Sequence, residues 1–189
     1  RLEKLAASIV EHWETRSEAM RPFIDAPGKA MIVCSTREIC ADLYERIIDI
    51  KPDWHSDDVN TGKIKVVYSS STDDPDKLRR HRLRPREHKT IQRRMKDSGD
   101  ELELIIVMDM LITGFDAPPL HTLYLDRSMR GAQLMQTLAR VNRTYLSKQD
   151  GLMVGYAPLH ENLIAALAEY TTDDQHTKPM GRDLDEAIT

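Results

Sequence analysis

The chain has 189 residues, 40% of them hydrophobic and 31% charged, which suits one globular domain with attached helices and a genuine core. Nothing approaches the ~20 consecutive apolar residues of a membrane span, and residues 1–20 are charged throughout, without the apolar region of a secretory signal. A net charge of −4 argues against a globally basic nucleic-acid binder; two cysteines, Cys34 and Cys40, without a second metal-type pair, suit a reduced intracellular protein without a disulfide framework.

The start at Arg1 rather than Met suggests a piece of something longer. Residues 2–19 read as an amphipathic helix, with Leu2, Leu5, Ala6, Ile9, Val10 and Trp13 on one face, ended by Pro22 and an Ala26-Pro27-Gly28 turn. Lys29 to Cys34 is apolar on both faces, as a buried parallel strand should be. It feeds a helix reaching about Ile50, where Ser35 and Glu38 have capping-box spacing. Free backbone N–H groups at Ser35, Thr36 and Arg37 could meet a phosphate, or simply be capped. Residues 51–63 read as a loop, Ile64 to Tyr68 as the second strand, and Ser69 to Pro75 as a polar turn.

From Lys77 to Lys96 the sequence carries ten Lys and Arg residues against Glu87 alone. A helix over its later part would bury Ile91 and Met95 and turn Arg93, Arg94 and Lys96 mostly outward. Such a run is usually a solvated face, but this imbalance also suits contact with a DNA or RNA backbone.

Leu104 to Met108 and Thr122 to Leu125 read as the third and fourth strands. Between them, Gly114 offers positive φ, the prolines stiffen the exit, and Asp116 is expected at a strand's C-terminal edge, where open parallel sheets bind ligands. A helix from about Gly131 to Arg143 would carry Gln133, Gln136, Arg140 and Arg143 on one polar face. Two arginines beside an amide form a planar-donor array suited to phosphate oxygens. A fifth strand, Leu152 to Tyr156, precedes a helix to about Tyr170 and a polar tail.

No G-x-x-x-x-G-K-[ST] cradle occurs, since Gly28-Lys29 precedes a strand rather than a helix. The seven histidines are scattered, without a metal pair at helical spacing. Phosphate-binding arginines without a phosphate cradle imply half of a composite site.

The spacing Gln136-x-x-Ala139-Arg140-x-x-Arg143 resembles motif VI of superfamily 2 helicases and translocases, and Gly114-Phe115-Asp116 resembles the core of their motif V. Met31 to Arg37 looks like their motif IV strand. The wording of KAMIVCSTREICADLYERI, PDWHSDD, LITGFDAPPLHTLYLDRSM and LMQTLARVNRTY resembles the motor region of type I restriction enzyme R subunits, over roughly residues 1–170.

The resemblance implies a RecA-like α/β domain with a mainly parallel sheet of five or six strands between helices, lacking its own P-loop. It implies a lead-in helix over 1–25, the second RecA-like domain over 26–170, and a tail or linker over 171–189. The activity implied is that of an ATP-dependent double-stranded DNA translocase and site-specific deoxyribonuclease, with the fragment itself inactive. ATP and Mg²⁺ would be held mainly by an absent first lobe. Arg140 and Arg143 would be finger arginines with Gln136 in support, and Gly114 and Asp116 would approach the nucleotide. Ser35, Thr36 and Arg37, matching motif IV, would face DNA; apart from the resemblance, the hydroxyls of Ser69 and Ser70 and the charges of Arg93, Arg94 and Lys96 make them further candidates for DNA contact. The implied partners are DNA, the first motor lobe and nuclease domain in cis, and modification and specificity subunits, in a bacterial or archaeal cytoplasm. The second lobe of another DNA or RNA helicase, and a non-catalytic nucleic-acid-binding domain, remain alternatives. Two departures stand out: Ala139 replaces the usual motif VI glycine, and Met108 stands where many helicases place a DNA-contacting threonine.

Overall fold

The structure is a computed structural model and describes residues 1–173. Five strands, β1 (Lys29–Cys34), β2 (Ile64–Val67), β3 (Leu104–Val107), β4 (Leu120–Asp126) and β5 (Leu152–Gly155), form one sheet in the order β2-β3-β1-β4-β5. Every neighbouring pair is parallel. The strands are apolar on both sides because both sides are covered. Ala30, Ile32, Leu104, Ile106 and Tyr124 point into one core, while Met31, Val33, Ile105, Val107 and Leu123 point into the other. Helices α1 (Leu2–Ile24) and α2 (Arg37–Ile50) close the first core. The second is closed by α4 (Pro85–Lys96), α5 (Gly131–Val141) and α6 (His160–Asp173). A one-turn helix α3 (Asp76–Arg79) and a turn at Pro52–Trp54 complete the described elements. The α/β parallel sheet sandwiched by helices is therefore the architecture expected. Of the expected tail, residues 174–189 lie outside the described residues.

Several local expectations need correction. Helix α1 runs through Pro22 to Ile24, because a proline this near the end removes a bond only in the last turn. Asp25 then closes the helix in the left-handed region (φ 53°), its N–H bonding the Arg21 carbonyl at 2.8 Å. The α2 cap is Thr36, not Ser35: its hydroxyl accepts from the Ile39 N–H at 3.1 Å.

Arg94 does not point outward. It is 2% exposed, and its guanidinium donates to Asp100 Oδ1 (2.8 Å) and to the carbonyls of Val59 (2.9 Å), Thr61 (3.1 Å) and Gly62 (2.9 Å). It is an internal clamp joining the 51–63 loop to the turn before β3. A planar fork with five donors can satisfy four acceptors at once, which is why this cation can be buried.

The largest correction concerns direction. The β3–β4 connection runs the length of the sheet, as a parallel pairing requires. It leaves the C-terminal end of β3 at Met108 and reaches the N-terminal end of β4 at Leu120, burying Ile112, Phe115 and Ala117 on the way. Asp116 thus lies beside the N-terminal strand ends, not at a C-terminal edge. Helix α5 returns antiparallel to β4, so Arg140 arrives at that same end.

Candidate functional site

Four charged side chains converge at the N-terminal strand ends. The Gly114-Phe115-Asp116 turn comes first. Gly114 has φ +73°, and an added Cβ there would meet nothing within 4 Å. The glycine therefore answers a backbone requirement, not a crowded approach. Phe115 is buried, which anchors the turn, and its carbonyl accepts from Arg140 Nη1. Asp116 forms an ion pair with Arg143, both about half exposed. The Arg143 hydrogen bond holds the Asp116 carboxyl below the usual carboxylate range, with further lowering from the charges of Arg143, Lys96 and Arg140.

Lys96 ends α4 and lies over the Phe115 ring, 5.8 Å from its centroid. It therefore stands beside the arginines, at the opposite end of the sheet from the strand-end hydroxyls. Three cations face one carboxylate, leaving the cluster with an excess of positive charge. Gln136 is exposed on α5, one turn before Arg140. Ala139 is exposed as well, so alanine in place of glycine meets no packing obstacle.

Arg143 is not on the helix. α5 ends at Val141, where the Asn142 N–H bonds the Leu138 carbonyl at 3.2 Å. Two residues not singled out from the sequence fix this ending. The Lys148 ammonium, 2% exposed, donates to the carbonyls of Val141 (2.8 Å) and Leu120 (3.0 Å), tying the helix end to the first residue of β4. Burial, with smaller contributions from Arg16 and Arg143, pulls its pKa down to about 8. Gly151 permits the close pass of the following chain, since a Cβ there would overlap the Val141 carbonyl. A lysine in a Ser-Lys-Gln-Asp-Gly stretch reads as a solvated loop, so the sequence carried no signal for this anchor.

The other expected residues divide. At the C-terminal strand ends, Ser35, Ser69 and Ser70 are exposed, and the exposed Thr36 hydroxyl serves the α2 cap. Arg37 Nη1 donates to the Ser69 carbonyl (3.0 Å), and the guanidinium pairs with buried Asp74 (2.9 Å), joining the two segments. At the same end, Arg127 Nη1 donates to the Met108 carbonyl (2.9 Å) and pairs with Asp109, a contact the sequence did not disclose. Arg93 is exposed on α4, and buried Arg94 belongs to neither group. Among the described residues, no group of His, Cys, Asp and Glu could hold a metal ion, and no helix is long and apolar enough to cross a membrane.

Comparison with known proteins gives a consistent result. Residues 85–158 match the family described as type I restriction enzyme subunit R domain 3. The type I restriction enzyme HindI endonuclease subunit of Haemophilus influenzae is 45% identical over 174 residues, 90% of this chain and 16% of that protein. The MjaIXP endonuclease subunit of Methanocaldococcus jannaschii, named for the same enzyme class, is 34% identical over 91% of this chain and 15% of its own length. Among solved structures, domain 2 of the DEAD-box helicase Mss116p bound to an RNA duplex aligns over 82% of this chain and 50% of that one, with 18% identity and a TM-score of 0.48. The chain thus spans about one sixth of the length of the curated relatives it matches. Across that span, it belongs to the type I restriction enzyme R-subunit family.

Proposed function

We propose that this chain is the second motor lobe of an ATP-dependent double-stranded DNA translocase, the R subunit of a type I restriction enzyme. The observation that carries this reading is the convergence of Lys96, Arg140 and Arg143 on Asp116, in a chain whose sequence lacks a phosphate cradle. Three cations against one carboxylate suit the oxygens of a nucleotide's terminal phosphate. Both arginines already face solvent at least in part, as an interdomain contact requires.

ATP, carried with Mg²⁺ by the first lobe, supplies the scissile phosphoanhydride. This chain's part is to stabilise charge. Arg140, steadied by the Phe115 carbonyl, offers planar donors to the γ-phosphate. Arg143 exchanges its Asp116 partner for phosphate, and the released carboxylate can accept from a ribose hydroxyl. Gln136 adds an amide donor one turn away. Arginines supplied in this way are worth ~10³–10⁵ in rate. The opposite end of the sheet, with Ser35, Thr36, Arg37, Ser69 and Ser70, faces the DNA backbone. Nucleotide and DNA would then lie at opposite ends of the same strands, and closure on ATP would move one relative to the other. The nuclease domain in cis, modification and specificity subunits, and a bacterial or archaeal cytoplasm complete the setting.

A chain that completes a site supplied elsewhere has no turnover of its own. The purified 189-residue chain is expected to show neither Mg²⁺-dependent ATP hydrolysis nor DNA cleavage. ATPase activity in that preparation, persisting after Arg140→Ala, would refute the composite-site reading.

A further inference from the structure

The ten cations of residues 77–96 do not behave alike. Five are paired with acids: Lys77 with Asp42, Arg79 with Asp76, Arg80 with Glu45, Arg84 with Glu87, and Arg94 with Asp100. Four of the others, Arg86, Lys89, Arg93 and Lys96, lie on α4 at steps of three, four and three. At about 100° per residue they fall within about 80° of arc, directly opposite Ile91, which is fully buried. All four are exposed, and none has an ion-pair partner among the described residues. No acid shares their face, since Glu87 turns back to the N-terminus of the helix.

Such an array opposes the fold. Like charges three and four residues apart weaken a helix, and here three consecutive pairs do so with no acid on the same face. An ordinary solvated helix face would intersperse glutamates, as the flanking segments do through α2. No aromatic or aliphatic residue lies among the four, so the face has none of the apolar anchors of a protein interface. Spacing, sign and absence of apolar groups together suit a regular polyanion.

We propose that the outer face of α4 is a second nucleic-acid docking surface, on which Arg86, Lys89, Arg93 and Lys96 follow the phosphate backbone of a DNA duplex. The surface is separate from the hydroxyl-bearing strand ends. Ten residues of helix rise about 15 Å, matching about four base-pair steps of about 3.4 Å. The stripe runs the length of the sheet face and ends at Lys96, beside the Asp116–Arg143 pair. Duplex lying there would reach the nucleotide face as well as the strand ends. The proposal rests on the DNA-translocase reading.

The test uses the full-length R subunit and a random-sequence duplex, without nucleotide, titrated by fluorescence anisotropy over a range of salt concentrations. The triple variant Arg86→Gln, Lys89→Gln, Arg93→Gln leaves Lys96 and the arginine cluster intact. Its plot of log K against log salt should be shallower than the parent's by about 2–3, at about 0.9 per lost phosphate contact. Lys89→Glu separates binding from folding, since it creates favourable pairs with Arg86 and Arg93. It should hold or raise the melting temperature while weakening duplex binding. An unchanged slope in a parent that binds duplex overturns the docking surface, as does loss of association with the partner subunits at an unchanged slope. A parent that does not bind duplex overturns the translocase reading itself.

Discussion

At the scale of single residues, three buried cations do structural work that their neighbours in sequence do not announce. Lys29 donates to the carbonyls of Asp100 and Leu102, Lys148 to those of Leu120 and Val141, and Arg94 to Asp100 and three carbonyls. Truncating Arg94 would remove at once the donor to a largely buried carboxylate and to three carbonyl oxygens, that of Gly62 fully buried. Arg94→Ala should therefore lower unfolding free energy by about 3–5 kcal/mol, measured by urea denaturation. Arg94→Lys should recover only part of it, because an ammonium cannot reproduce the fork. A loss within the ordinary surface range of about 0.5 kcal/mol would show that the clamp is unimportant. None of the three was legible in the sequence: Arg94 and Lys148 sit in polar stretches that read as solvated, and Lys29 opens an apolar strand whose own residues offer its ammonium no acceptor. Only the carbonyls brought around each by distant segments say otherwise.

Among the elements, α5 and its exit decide where the arginines stand. Apolar periodicity identified this helix well, as it did α1 and α2, and short apolar runs identified all five strands. Its end was misplaced by two residues because the signal that stops it is tertiary. The Lys148 ammonium captures the last carbonyl, and Gly151 allows the chain to pass close to it. Gly151→Ala places a methyl against the Val141 carbonyl, so backbone must move. The expected result is destabilisation of about 2 kcal/mol or more, with a fall in ATPase of the full-length protein that exceeds any change in duplex binding. A variant with parental stability and turnover would remove Gly151 from this role. The sequence also put Asp116 at the wrong end of the sheet and gave no sign of its pairing with Arg143. A turn motif gives local shape; the end it occupies depends on how the connection crosses the face.

For the whole molecule, the sheet separates two chemistries that the sequence interleaves. Residues 104–143 visit both ends of the strands, with Met108 and Asp109 at one end and Asp116, Arg140 and Arg143 at the other. Acid sensitivity belongs to this scale too, since buried histidines tie separate layers together. The His121 Nε2 donates to the Pro27 carbonyl (2.8 Å), Nδ1 accepts from Thr122 (2.7 Å), and the ring stacks on Trp13 of α1. Burial lowers the pKa of His121 to about 4, and that of His81, packed against Tyr44, to about 4 as well. The unfolded chain protonates these rings near the ordinary value of about 6.5. Between those values the unfolded state holds more protons, so stability present above pH ~6.5 is lost as pH falls towards ~4, by up to roughly 3 kcal/mol per ring. Urea midpoints at about pH 7 and about pH 4.5 check this, and equal midpoints would contradict it.

The central claim is that this chain supplies charge to a nucleotide held by another lobe. The most direct measurement is single-turnover ATP hydrolysis and nucleotide affinity in the full-length protein carrying Arg140→Ala. Arg140 makes no ion pair among the described residues, and its guanidinium donates to the Phe115 carbonyl, so the fold should survive its loss. Turnover should fall by ~10³ or more while ATP affinity stays within about threefold. Turnover within tenfold of the parent, or a loss confined to ATP binding, would contradict the account.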